Sequence, residues 1–91
     1  MTADDVLRSL RTQLRSTIPA LIVRPDSIEV QALLVELTRA TDHAAGLLTD
    51  SAPEALAALR RALDHAAAER PEECASELVA AHYHVSELLP D

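Results

Sequence analysis

Apolar side chains recur at intervals of three and four residues in four segments of the chain, a spacing typical of amphipathic α-helices. The first segment opens with Thr2 and Asp5 at the spacing of a capping box. It should end near residue 17, because Pro19 disfavours helical backbone at the residue before it. The pattern predicts helices at residues 2–17, 26–48, 52–69 and 71–89.

Polar residues and a proline mark the starts of the three later helices. Asp26 and Ser51 each precede a glutamate by three residues, again at capping-box spacing, and Pro71 suits the first position of a helix. Short connections make the second, third and fourth helices antiparallel neighbours. We therefore expect an all-α fold, a small antiparallel four-helix bundle that forms a single domain over residues 1–91.

The core of this bundle must be built from aliphatic side chains. The chain contains no Phe and no Trp, and Tyr83 is its one tyrosine. Leucine and alanine therefore form the apolar stripes, and the small residues allow helices to approach closely. The single glycine leaves few positions for positive φ, which disfavours a hairpin-rich β fold. Leu37, Leu59 and Leu78 are expected in the core.

The predicted second helix has two apolar faces. Val30 and Leu37 belong to one side, whereas Ile28, Ala32 and Val35 fall roughly opposite to it at about 100° per residue. The preceding segment, residues 18–23, is an apolar connector where a solvated loop would be polar. One apolar face suffices for a helix in a four-helix bundle. The second face must therefore be covered either by the connector, folded back within the monomer, or by a second chain.

The charge distribution excludes several classes of partner. The formal net charge is −7 at pH 7, and the acidic residues dominate the chain after residue 24. An acidic body argues against nucleic-acid binding, in which cations neutralise phosphates. There is no apolar run of membrane-spanning length, no signal-peptide pattern at the start and one cysteine, Cys74. We expect a cytoplasmic protein with no membrane partner.

One short motif suggests catalysis. Arg60 and His65 are separated by four residues, and this spacing resembles the R-x4-6-H signature of HEPN-type ribonucleases. In that helical and often dimeric family the two residues converge across a dimer and cleave RNA. The resemblance implies that His65 transfers protons and that Arg60 binds phosphate charge. A solvated helix face bearing Arg61, His65 and Glu69 is the interpretation we favour, and the ribonuclease is the main alternative.

A second short motif lies at the start of the predicted second helix. The sequence Asp26-Ser27-Ile28 resembles the Asp-Ser-Leu motif that carries the phosphopantetheine arm of acyl carrier proteins, which are also small, acidic and helical. The resemblance implies that Ser27 would carry the arm. An ordinary helix N-terminus accounts for the same residues, and we favour that interpretation.

The histidines and the cysteine are too dispersed to predict a metal site. Zinc requires several ligands that converge on the ion. His43 and His82 are predicted at one height of the bundle, whereas His65 and Cys74 lie further along it, and His84 points away from His82. We expect neither a metal nor another cofactor.

These observations favour a non-enzymatic protein–protein interaction or regulatory module. A homodimer is the simplest form of such a module, because most soluble oligomers have twofold symmetry. The predicted interface combines the connector with the second apolar face of the second helix: Leu21, Ile22, Val23, Ile28, Ala32 and Val35.

Overall fold

Four α-helices form the part of the chain that the computed structural model describes, residues 2–90. Short connections join them, and the prediction of an all-α four-helix bundle is confirmed. Within residues 2–90, no helix combines the length and the apolar character needed to span a membrane. The helices are α1 (Ala3–Val23), α2 (Ile28–Ser51), α3 (Pro53–Ala67) and α4 (Pro71–Glu87).

Each helix packs against two neighbours. α1 contacts α2 and α4, and α3 contacts α2 and α4, with the most extensive packing between α3 and α4. Over the described residues, the diagonal pairs, α1 with α3 and α2 with α4, do not meet. The helices therefore occupy the corners of a square, and each turns one side inward and the opposite side to solvent.

The core consists of leucine, valine, alanine and the single cysteine. Leu37, Leu59 and Leu78 are completely buried, as predicted, and each comes from a different helix. α1 contributes Leu10 and Leu14, which are buried to the same degree. The interior is thus filled by aliphatic side chains from all four helices.

α1 does not end near residue 17, and the predicted connector at 18–23 is wrong. The helix continues through Pro19 to Val23, and the N–H of Arg24 donates to the carbonyl of Ala20 at 2.9 Å. Pro19 is exposed, so its ring lies in solvent, although it leaves the carbonyl of Arg15 without its helical donor. Burial of Leu21 in the core requires the extra turn, and this packing outweighs the local preference of proline.

Two predicted helix starts also differ from the structure. α2 is capped by Ser27 and not by Asp26, because the hydroxyl of Ser27 accepts the N–H of Val30 at 3.1 Å. Ser51 does not cap α3, since it is the last residue of α2. Ala52 ends α2 and precedes α3 without a side-chain cap, and it is buried at this tight corner.

The turn between α3 and α4 has the backbone of a Schellman motif. The N–H of Arg70 donates to the carbonyl of His65 at 2.9 Å, and the N–H of Glu69 donates to that of Ala66 at 3.1 Å. Glu69 takes a φ of 57°, in the left-handed region where glycine is usual. The predicted ends of the third and fourth helices, at 69 and 89, each lie two residues beyond the observed ones.

Truncation of the three central leucines tests the core. Leu37→Ala, Leu59→Ala and Leu78→Ala should each lower the free energy of unfolding by about 2–5 kcal/mol, because each leaves a cavity among buried side chains. Urea denaturation followed by circular dichroism measures the loss. Val23→Ala, at an exposed position, is the control and should change stability by less than about 0.5 kcal/mol. Losses below about 1 kcal/mol at all three leucines would contradict the packing.

Substitution of Glu69 tests the strained turn. Glu69→Gly should have a free energy of unfolding up to about 1 kcal/mol higher than that of Glu69→Ala. A left-handed backbone costs an L-residue about 1–2 kcal/mol in the folded state. Glycine avoids this cost, but its greater conformational freedom in the unfolded chain offsets part of the gain. Both variants remove the same charge, so their difference isolates the backbone term. Thermal unfolding of the pair measures it, and an alanine variant at least as stable as the glycine variant would contradict the assignment.

Candidate interaction surface

The outward side of α2 carries an apolar stripe formed by Ile28, Ala32 and Val35. All three side chains are exposed, with exposed fractions of 88% for Ile28 and 54% for Val35. The stripe lies opposite the buried side of the helix, which includes Val30 and Leu37. Residues 18–23, which form the last turns of α1, do not cover the second apolar face of α2, so this face is open to solvent in the monomer.

A shallow groove between α2 and α3 extends this stripe. Val35 borders it together with Leu34 of α2 and Leu63 of α3, and its volume is about 200 Å³. Ala66 and Ala67 complete the apolar wall on α3. The sequence pattern does not reveal this extension, because Leu34 and Leu63 follow the core periodicity and yet remain only half-buried.

The other three residues of the predicted interface lie elsewhere. Leu21 is buried in the monomer core, so it is not available at a surface. Ile22 and Val23 are exposed at the end of α1. Ile22 lines a cleft with Pro71 at the start of α4, on the side of the bundle away from the α2–α3 groove. We therefore define the α2 surface as Ile28, Ala32 and Val35 with Leu34, Leu63, Ala66 and Ala67.

The structure does not bring Arg60 and His65 together on one side of α3. Residues five apart on a helix are separated by about 140° around its axis. Arg60 is exposed, whereas His65 is half-buried and lies near Glu77 of α4. The pKa of the Glu77 carboxyl is lowered mainly by its hydrogen bond from Arg61, whose Nε lies 2.8 Å from Oε2, and to a smaller extent by His65.

Ser27 is the N-cap residue of α2. Its hydroxyl accepts the N–H of Val30, which satisfies one of the free donors at the start of α2. The side chain of Ser27 is half-buried. A helix cap accounts for this serine within the monomer.

His82 lies where α4 packs beside the arginines of α1. Its Nε2 and the Oγ of Ser86, one turn further on, are buried without a hydrogen-bond partner within residues 2–90. Burial lowers the pKa of His82, and the positive charges of Arg15 and Arg11 lower it further. The histidine is therefore kept neutral by its surroundings.

The remaining candidate ligands do not form a cluster. Among the described residues, no three His, Cys, Asp or Glu side chains lie close enough together to hold a metal ion. Cys74 is buried in the core, and this burial raises the pKa of its thiol to about 11. Desolvation is the cause of this rise. A thiol in this state is a poor nucleophile.

Comparison of the chain with protein families, with curated proteins and with solved structures finds no match.

The pH dependence of stability tests the environment of His82. Because the pKa of His82 is lower in the folded protein than its usual value of 6.5, the unfolded chain takes up a proton first as the pH falls. The stabilising contribution of neutral His82 is present above pH 6.5 and is lost as the pH falls below it. Wild type should therefore lose more stability between pH 7 and about pH 5.5 than His82→Gln does.

Urea denaturation at a series of pH values measures this difference. His43→Gln, at an exposed position of α2, is the control for the loss of one histidine side chain. Equal slopes for wild type and His82→Gln would contradict the assignment.

Proposed function

We propose that this protein is a non-enzymatic protein–protein interaction module that forms a homodimer through the α2 surface. The observation that carries the proposal is the exposure of Ile28 and Val35 on a helix whose opposite side already fills the core. An apolar stripe of this kind is redundant for folding. A second copy of the chain is the occupant to which we commit.

The spacing of the stripe supports a symmetric contact. Two α2 helices that cross in an antiparallel sense near Ala32 bring Ile28 of one copy against the partner's Val35, and the same contact recurs by symmetry. Alanine at the crossing point allows the two helix backbones to approach. The surface is thus complementary to itself, which is what a twofold interface requires.

The energy available is moderate. Complete burial of an aliphatic side chain of this size contributes about 1.5–3 kcal/mol, and the dimer would bury Ile28 and Val35 twice. The half-buried Leu34 and Leu63 add the remainder of their surface. After the cost of association, a dimer of about micromolar affinity is expected.

The chemistry of the rest of the chain supports a binding role over a catalytic one. The alternative ribonuclease needs Arg60 and His65 to converge with copies of themselves, and neither residue belongs to the α2 surface. The acidic composition supports a protein partner in preference to a nucleic acid. We place the protein in the cytoplasm, with no cofactor, as a regulatory component whose partner is itself or a second protein.

Matched charge substitutions test the dimer. Val35→Glu places a carboxylate in the α2 surface and should convert the dimer to a monomer without loss of helix, because unpaired charges are excluded from apolar interfaces. Val79→Glu is the control: Val79 of α4 is exposed to 53%, nearly the same as Val35 at 54%, but lies at the opposite corner of the bundle. It should leave the dimer intact.

Sedimentation equilibrium at tens of micromolar protein gives the oligomeric state, and circular dichroism monitors folding. A monomeric wild type would exclude the homodimer. Unfolding of Val35→Glu, with Val79→Glu folded, would instead show that the α2 surface belongs to the monomer core.

A further inference from the structure

The contact between α1 and α4 contains a cluster of polar side chains within an otherwise aliphatic bundle. The two helices are antiparallel, and Ile22 of α1 lines the same cleft as Ala75 of α4. Arg15 lies seven residues before Ile22, and His82 lies seven residues after Ala75. Because seven residues are about two helical turns, Arg15 and His82 lie level with each other on the facing sides of α1 and α4.

The polar atoms that α4 contributes to this cluster are closed off from solvent. The Nε2 of His82 and the Oγ of Ser86 are buried and have no hydrogen-bond partner within residues 2–90. By the same register Arg11 lies level with Ser86, and Arg8 follows on the next turn of α1. A proton on His82 therefore adds a positive charge beside Arg15 and Arg11, at an atom that water does not reach from outside.

The carboxylates that could balance this charge lie elsewhere in residues 2–90. α1 has only Asp4 and Asp5, in its first turn, nearly three turns from Arg15. α3 meets α4 on the side of Glu77, which lies about 140° around the helix from His82. The other titratable groups of this pair of helices lie on that side or in the first turn of α4: Arg61, His65, Glu72, Glu73, His84 and Glu87.

Of the two contacts that α4 makes, the one with α1 is the more easily broken. α3 packs against α4 more extensively than α1 does, and its arginine, Arg61, is hydrogen-bonded to Glu77. The contact with α1 instead encloses polar atoms that lost their water without gaining a partner, which weakens it. When a charge is added at this contact, α1 is the element that separates.

We propose that protonation of His82 releases α1 from α4 and leaves the α3–α4 pair packed. The open form hydrates the imidazolium and the neighbouring guanidinium groups, which the closed form does not. α1 partly unfolds once only α2 supports it, since helices in proteins owe most of their stability to tertiary packing. Release also uncovers Ile18 of α1 and Ala75 of α4, so that an additional apolar surface becomes accessible in acid.

The size of the effect follows from the proton balance. In the open form His82 titrates near its usual pKa of 6.5, so it is about 24% protonated at pH 7 and about 91% at pH 5.5. The closed form takes up this proton less readily, and it is therefore disfavoured as the pH falls through 6.5. Between pH 7 and about pH 5.5 the opening equilibrium of α1 should rise by up to about eightfold.

Native-state hydrogen exchange at low urea concentrations, followed by two-dimensional NMR, tests the release. The amides of Leu14 and Arg15 should exchange through an opening that depends on urea less steeply than the global unfolding that exposes the amide of Leu59 in α3. Their protection factors should fall by up to about eightfold from pH 7 to about pH 5.5. His82→Gln should abolish this fall. His84→Gln, on the side of α4 that faces α3, is the matched control and should retain it.

A second pair of variants tests the role of the neighbouring charge. Arg15→Gln removes one of the charges that oppose protonation in the closed form, so its response to pH should lie between those of wild type and His82→Gln. Arg39→Gln, an exposed arginine of α2, is the control and should respond as wild type does.

The exchange is measured on wild type and on Val35→Glu, so that it does not depend on the dimer. Equal urea dependence for the amides of α1 and α3 at about pH 5.5 would overturn the proposal, because α1 would then open only when the whole bundle unfolds. A full fall in α1 protection in His82→Gln would overturn it as well.

Discussion

The close packing of α3 against α4 is the interaction on which the rest of the bundle depends. Both helices bury small residues: Ala58 and Ala62 of α3 and Cys74 and Ala81 of α4 are all fully buried. Such residues allow the helix backbones to approach, and they leave little cavity between them. With no Phe or Trp in the chain, close approach is the means by which the interior reaches a high packing density. α1 and α2 then complete the square around this pair.

The same constraint explains why α2 presents apolar residues to solvent. A core without large aromatic side chains is thin. It therefore covers only a narrow stripe of α2, the longest of the four helices. Between Val30 and Leu37 no residue of α2 is buried, and Leu33 and Leu34 are only half covered. The N-terminal half of α2 is therefore loosely enclosed by its neighbours. The apolar stripe that contains Val35 lies on this same half.

The helices were largely predictable from the sequence, because apolar periodicity and capping residues act locally. The errors arose where tertiary packing outweighs local preference. Pro19 predicted a helix end, but burial of Leu21 extends α1 beyond it. Serine is a common helix cap, so Ser51 predicted the start of α3. In the structure α2 continues through Ser51, and the turn into α3 lies at Ala52. In both cases the deciding contact is made with another helix, which a local pattern does not contain.

The candidate sites were predictable only in part, for a related reason. The two-faced pattern of α2 identified Ile28 and Val35, since exposure on a helix follows from angular position. It did not show that the second face is left open, because that depends on where the end of α1 lies. The groove of about 340 Å³ between α1 and α2, lined by Leu10, Gln13 and Ala40 among others, was not predictable, because it depends on how two helices pack and no pattern within one helix shows it.

The size of the α2 surface bears on the kind of association proposed for it. Obligate dimers bury large apolar interfaces, and their monomers rarely fold alone. Here the monomer has a complete core, with Leu37, Leu59 and Leu78 already removed from solvent. The apolar stripe is short, and it gives way to the charged Glu36 and Arg39 within one helical turn of Val35. An apolar centre with a charged rim, on a chain whose core is already enclosed, is the composition expected of a reversible interface, so the proposed dimer would add contacts without being needed for folding.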